Sequence, residues 1–455
     1  MTDGLGELFC PLEFRYGRPE VRALFSRELR LRRALRVEAA LAESEAELGV
    51  IPADAAKAIA VAAAGPEVTL AEVDRIEAEI RHDVMAIVRA LAGQSGVGGP
   101  WVHYGATSAD ITDTALALEL QDAIRFLRAD VTDLASTLAE LARKHRATPE
   151  VGRTHGQFAV PISFGYKMAV SAAEVLRHRK RLDEIAPRLC VGKMAGAVGT
   201  GAGFGVKAFE IETSVMRRLG LHPDEAPTQI VGRDRIAEFT NWLALVAGTA
   251  ERLATEVRNL QRSEIAEVQE PFDERRQVGS STMAQKRNPV VSENVTSLAR
   301  LIRAFALPPL ENMALWHERD LTNTANERIV LPHSIVLVDD VLRKLIEIYA
   351  GLKIDVERMT LILGQSGGSV MVENLMLALT ARGVPRSEAH EFLRAFSREE
   401  KGNRSLAVRA KSDPLLMKHF TSNELEELLD PAAYVRAAAA KTDRVLETLQ
   451  RELTV

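Results

Sequence analysis

DITDTALALELQDAIRFLRADVTDLASTLAELARKHRAT, residues 110–148, contains neither glycine nor proline. As a single helix it would run about 57 Å at ~1.5 Å per residue, well beyond the roughly 11–12 residues of an average helix. Outward from it the same grammar recurs. From Arg233 to Pro271 the only interruption is Gly248; a third long stretch follows Pro289, and a fourth runs from about Asn326 to Leu352 with Pro332 near its start. Runs of Val, Ile, Thr and aromatics with period 2 are sparse. The reading is an all-α chain built around an elongated helical bundle.

The flanks carry shorter segments. Residues 24–48 form an Ala/Leu/Glu pattern that stops at Gly49 with Pro52 beyond. Thr69-Leu-Ala-Glu72 has the form of a capping box. After it Val73, Ile76, Ile80, Val84, Ile87 and Leu91 mark one apolar face that closes at Gly93. The last hundred residues are short segments punctuated by Gly383-Val-Pro385, Gly402-Asn and Asp430-Pro431. Three mainly helical parts are expected: an N-terminal domain over 1–105, a central long-helix domain over 106–355, and a C-terminal domain over 356–455. Segments such as TALALELQDAI and NWLALVAGTAERLA are apolar on several faces. They favour a homo-oligomer sharing a helical core over a monomeric bundle.

Composition narrows the function class. With 27% charged and 46% hydrophobic residues, the chain can bury a core, so disorder and collagen-like repeats are excluded. A net charge of −5 argues against coating nucleic acid or anionic lipid. Two cysteines, Cys10 and Cys190, make no disulfide framework. MTDGLGELFCPLEFRYG has neither the charged nor the apolar region of a signal peptide, and no run of ~18 apolar residues could span a membrane. A cytoplasmic protein with no membrane or nucleic-acid partner is expected.

Four segments are rich in reactive groups: Arg81-His82-Asp83, Trp101–Asp110, Gly152-Arg153-Thr154-His155-Gly156-Gln157, and Val278–Pro289. In the last, a Gly-Ser-Ser loop precedes Lys286, Arg287, Asn288 and a helix-starting proline, an arrangement able to cradle an anion. Serine lacks useful basicity unless its surroundings activate it, and by composition alone the loop could equally be a hinge. His155, between Thr and Gly with no apolar periodicity around it, suits proton transfer near neutral pH, though a lone loop histidine is often only a surface residue. No HExxH, paired CxxC or His-x3-His pattern suggests a metal site. GAVGTGAGFG (196–205) fits neither a dinucleotide nor a phosphate loop and reads as a tight turn that lets backbones approach.

These segments together resemble the fumarase/aspartase superfamily, and within it the adenylosuccinate lyase family. GSSTMAQKRNP resembles the superfamily's GSSxMPxKxNP loop. FRYG, RHDVMAIVRA, WVHYGATSADITDTA, GRTHGQ with PISFGYKMA, GKMAGAVGT, WHERD…NERIVLP and LTARGVPRSEAH follow in family order over nearly the whole chain. The histidine of THGQ counts against carboxymuconate cycloisomerases.

The resemblance implies a β-elimination, adenylosuccinate to AMP and fumarate, with the analogous succinyl-carboxamide ribotide step of purine synthesis. It assigns Ser280 as general base, His155 as general acid, and Glu293 as the carboxylate that orients His155. It places Arg15 and Tyr16 near the phosphate, and Arg81, His82 and Asp83 on the nucleotide. Thr107 and Ser108 fall on the succinyl carboxylates with His103 close by. Gln229, Ser281, Lys286, Arg287, Asn288, Arg319, Thr324 and Arg328 complete the substrate-binding set. It further implies a homotetramer with shared sites and no metal or organic cofactor. Departures from the family pattern are Ala284-Gln285 for the usual Pro-His, LTNTANER for ISHSSxER, and Ala195 for a frequent serine. Another succinyl or carboxylated substrate, or a non-catalytic scaffold on the same fold, are the competing readings.

Overall fold

The computed structural model describes residues 10–273, 275–279, 281–398 and 405–453. In chain order the helices are α1 (Pro19–Ala23), α2 (Arg27–Glu47), α3 (Ala53–Ala64), α4 (Leu70–Ile80), α5 (Asp83–Gln94), α6 (Ser108–Lys144), α7 (Phe164–Leu189), α8 (Ala208–Leu219), α9 (Asp234–Leu260), α10 (Val290–Ala304), α11 (Leu307–Glu311), α12 (Thr324–Ala350) and α13 (Val356–Gln365), followed by six more ending with Ala432–Leu453. The fold is all-α. Among the described residues the strands form three two-stranded pairs, the longest being β1 (Pro149–Thr154) against β2 (Gln157–Ser163). No helix among the described residues is long and apolar enough to cross a membrane.

The glycine- and proline-free stretch is one helix, α6, of 37 residues. Gly248 does not interrupt α9, and α12 passes through Pro332. The stretch after Pro289 is shorter than the others, because Pro308 and Pro309 follow soon after Ala304 and open α11 instead. The segment read as one apolar face from Val73 to Leu91 is two helices. Arg81 closes α4 in the left-handed region (φ 57°), and His82, extended, caps α5 by accepting the Met85 N–H at 3.3 Å. At Thr69 half of the expected capping box forms. The hydroxyl accepts the Glu72 N–H at 3.3 Å, while the Glu72 carboxylate turns to Arg75.

Contacts divide the chain into two compact units. The first comprises Met1–Val131, Arg177–Glu251 and Thr296–Arg343; the second, Thr132–Leu176, Arg252–Val295 and Lys344–Val455. In the first, α2 to α5 enclose a core around Leu35, Ile59, Val68 and Leu91. Elsewhere in it Trp242 is buried with its indole N–H donating to the His178 carbonyl at 2.9 Å. In the second, Tyr349 is buried and donates to the Leu253 carbonyl at 3.1 Å.

One buried group runs against the pattern. Glu45 is fully buried on α2, and neither carboxylate oxygen has a hydrogen-bond partner among the described residues. Burial, with help from the Glu38 charge, pushes its pKa up to about 8. A carboxyl raised on folding contributes stability that is complete below its unfolded pKa and is lost as pH rises through the folded one. Replacing it by the isosteric neutral amide, Glu45→Gln, is expected to leave the melting temperature nearly unchanged near pH 5 and to raise it near pH 9. Equal shifts at both pH values in a thermal melt would contradict a protonated Glu45.

Candidate active site

Local chemistry at the start of α6 sets the geometry. Asp110 sits in the first turn and is fully buried, and its Oδ2 accepts the Thr107 N–H at 2.8 Å. That back-bond fixes Thr107 as the residue before the helix, with Ser108 first inside it. The Asp110 carboxylate also receives the N–H groups of Ala195 (2.9 Å) and Gly196 (3.2 Å) and the buried Lys193 ammonium. The glycine-rich loop after Lys193 is thereby pinned to the helix start. A Cβ at Gly203 would stand 3.0 Å from the Gly105 carbonyl, which explains the small residue there.

One turn on, Asp113 takes both arms of the Arg233 guanidinium (2.8 and 3.0 Å) and the Val231 N–H (2.9 Å). Burial works to raise the Asp113 carboxyl, but the Arg233 charge and these hydrogen bonds prevail and hold it below the usual carboxylate range. Arg233 in turn donates to Glu327 at 3.0 Å.

Above this network lies a cavity of about 760 Å³, within the first unit. Eight of the expected residues line it: Arg81, His82, Asp83, Ser108, Gln229, Arg319, Thr324 and Arg328. They come from the α4–α5 break, the start of α6, the loop before α9 and the start of α12. Because His82 accepts the Met85 N–H through Nδ1, its Nε2 carries the proton and is a donor. Among the described residues Arg319 donates to neutral oxygens, Asn323 Oδ1 at 2.9 Å and Thr324 Oγ1 at 3.2 Å. Burial and then the Arg233 charge push its pKa below the ordinary arginine value, yet a guanidinium stays protonated in proteins. Arg81 has no acidic partner among the described residues, whereas Arg328 pairs with Asp83 at 2.7 Å. With Arg233 neutralised by Asp113 and Glu327, the wall keeps positive charge to spare. The first-turn N–H groups of α6 add a second anion receptor.

Four expected binding residues of the first unit lie outside this lining. Thr107 precedes Ser108 directly. His103, at φ 65°, bonds Glu38 through Nδ1 at 2.7 Å. Burial opposes its charge, but the Glu38 hydrogen bond and charge outweigh that and raise its pKa. Arg15 and Tyr16 lie on a short segment held by Gly17 N–H donating to Asp340 (3.0 Å) and by Arg18 bonding Asp339 and Asp130. Missed in the sequence were Asp113, Arg233, Asn323 and Glu327, all in the lining. Their signal is weak: charged or amide residues at helix starts, ordinary in composition and unusual only in being buried.

The remaining expected residues belong to the second unit. The segment around His155, read as a loop, is a β-hairpin. Thr154 pairs with Gln157, and His155 (φ 53°) with Gly156 (φ 72°) forms its two-residue tip, the left-handed pair of a type I′ turn. His155 is exposed there. Ser280 lies outside the described residues. Around it, the Asn288 side chain donates to the Gly279 carbonyl at 3.2 Å and closes the loop across its neck. Ser281, Lys286 and Arg287 are exposed. The buried Glu270 carboxylate caps α10, accepting the N–H groups of Val291 (2.9 Å) and Ser292 (3.1 Å). Glu293 is exposed in the first turn of α10, and among the described residues no hydrogen bond joins it to His155.

Residues 13–303 match the family described as lyase, and residues 368–445 match the adenylosuccinate lyase C-terminus. An adenylosuccinate lyase of Pyrococcus horikoshii is 45% identical over 97% of this chain and 98% of its own. An N-acetyl-S-(2-succino)cysteine lyase of Dickeya dadantii is 37% identical over 95% and 94%. The solved structure of a fumarate lyase from a Mesorhizobium species superposes with a TM-score of 0.87 at 32% identity, covering 95% of this chain and 98% of that one. The archaeal relative, similar from end to end, and the matched C-terminal segment agree with the order of motifs along the sequence: the chain belongs to the adenylosuccinate lyase family.

Proposed function

We propose that the protein splits adenylosuccinate into AMP and fumarate and performs the matching step on succinyl-aminoimidazole-carboxamide ribotide. The observation that carries this is the cavity of the first unit, where eight residues from four distant stretches converge with surplus positive charge. A nucleotide phosphate would take the Arg319, Thr324, Arg328 and His82 wall. Succinyl carboxylates would take the α6 start at Thr107 and Ser108. Ser280 removes the proton beside a carboxylate, and the dianion that builds up is held by N–H donors and cations. His155, oriented by Glu293, protonates the departing nitrogen. Lys286 and Asn288 belong to the signature loop that accompanies the base. As the proton leaves, its C–H electron pair becomes the C=C bond of fumarate. The C–N bond breaks, and its pair stays on the nitrogen that His155 protonates. The elimination has no net change of oxidation state and needs no redox partner.

Binding wall and acid–base pair fall in different units of one chain, and we read the working enzyme as a cytoplasmic homotetramer whose sites draw residues from several subunits. Large apolar side chains left exposed in the first unit support association: Leu245 on α9, Leu301 on α10, Ile329 on α12 and Trp316 between helices. A second reading has a specific basis in the Dickeya relative, whose succinylated substrate departs through sulfur rather than nitrogen. The chemistry at the succinyl carbon would be the same, but that substrate has no phosphate to bind.

An ultraviolet time course with adenylosuccinate, its products checked by chromatography, tests the proposal. Stoichiometric AMP and fumarate are expected; a folded oligomer that leaves the substrate intact would refute it. Ser280→Ala and His155→Ala should each slow turnover by at least ~10²-fold, the scale of general acid–base contributions. Near-normal turnover removes the assigned role from that residue. Replacing Arg15 and His82 together by Ala should abolish activity on the nucleotide, and undiminished activity would favour the phosphate-free substrate. Mixing Ser280→Ala and His155→Ala proteins after reversible dissociation should restore part of the activity through hybrid sites. Mixed tetramers that stay inactive would show that each site is made by one subunit.

A further inference from the structure

His155 stands at the tip of a two-stranded hairpin, an element that by itself is only marginally stable. The whole tip, Thr154 to Phe158, is exposed within its own chain, so packing inside the subunit does not aim the imidazole. Nor does the strand ladder, because the register slips between Val151 and Arg153 and leaves Gly152 unpaired. A bulge of that kind bends the strand and turns what lies beyond it.

What fixes the outer rungs is Arg153, two residues before His155. Its guanidinium turns inward and forks onto both oxygens of Glu267, at 2.8 and 2.9 Å. Glu267 is fully buried and held on both sides by its own backbone. Its N–H donates to the Leu260 carbonyl at the end of α9 (3.0 Å), and its carbonyl accepts the Asp355 N–H, just before α13 (3.0 Å). The Arg153 guanidinium also lies over the ring of Phe158, its partner across the strands, at 5.8 Å. Behind the fork, Lys167 bridges the buried Glu150 (2.7 Å) and Glu256 (2.6 Å), which leaves Glu267 to Arg153. A planar fork on a buried, backbone-anchored carboxylate defines a direction in a way that a single lysine contact does not.

We propose that Arg153 and Glu267 are positioning residues for His155: without touching substrate, they fix the direction in which the hairpin presents the imidazole. The inference rests on the reading of His155 as general acid. Misplacing a reacting group by about 1 Å can cost ~10²-fold in rate. Loss of the fork should therefore lower kcat while leaving ground-state binding alone.

The test is steady-state kinetics on adenylosuccinate with Arg153→Met, Arg153→Lys, Glu267→Gln, His155→Ala and the double variant Arg153→Met/His155→Ala, each confirmed as assembled. Arg153→Met is expected to lower kcat by roughly 10- to 100-fold with KM within about threefold. Arg153→Lys and Glu267→Gln should fall between it and the parent. In the His155→Ala background, Arg153→Met should cost nothing more, since a residue acting through another has no effect once that other is gone. Parental kcat in Arg153→Met, or a full additional loss in the double variant, overturns the proposal. If Arg153→Met does not fold, the near-isosteric Lys and Gln variants carry the test, and parental kcat in both overturns it equally. Parental turnover in His155→Ala would instead remove the reading beneath it, an outcome read from that variant alone.

Discussion

A fully buried carboxylate, Asp110, gathers the Lys193 ammonium, two N–H groups of the glycine-rich loop and the N–H of Thr107. An ion left alone in such a place would cost several kcal/mol, so the four donors and the carboxylate require one another. Because Asp110 lies in the first turn of the longest helix, satisfying it fixes where α6 begins. Every later contact in the cavity is counted from that start: Ser108 on the rim, Asp113 one turn below, Arg233 on Asp113, Glu327 on Arg233. The charges of Asp113, Arg233 and Glu327 alternate and cancel, while Arg81 and Arg319 on the cavity wall have no acidic partner among the described residues. A receptor for anions is thus built on a foundation that is itself close to neutral.

Much of this was open to reading in the chain alone, and the reasons for the remainder are physical. The length of α6 was visible because glycine and proline are the residues that end helices, and it has neither. The residues around the cavity were visible as motifs but not as neighbours, since periodicity carries no information on how distant segments meet. The break at Arg81 was hidden because Val73 to Leu91 keeps an apolar rhythm across it; a left-handed residue and a capping histidine leave no mark in that rhythm. The hairpin around His155 was hidden for the opposite reason. Its strands, PEVGRT and QFAVPIS, contain glycine and proline and are held by a bulge, a tight turn and buried ion pairs rather than by alternation.

The departures from the family pattern read differently once contacts are known. Ala195 stands where a serine is frequent, yet what it supplies is its N–H to Asp110, and its side chain is buried. The bond that pins the loop comes from the backbone and does not depend on that side chain. Asn323 and Thr324, in LTNTANER, both offer a side-chain oxygen to Arg319. Neither brings a charge that would satisfy it, so the altered motif still leaves Arg319 in want of an anion.

The Asp83–Arg328 pair bears on how the cavity wall meets an anion. One N–H of the guanidinium bonds one carboxylate oxygen, and both side chains are exposed. Arg328 keeps further donors on its fork, so an incoming anion can join it without displacing Asp83, though it does so beside a like charge. The pair thus tempers the charge that Arg328 presents without closing the wall to an anion.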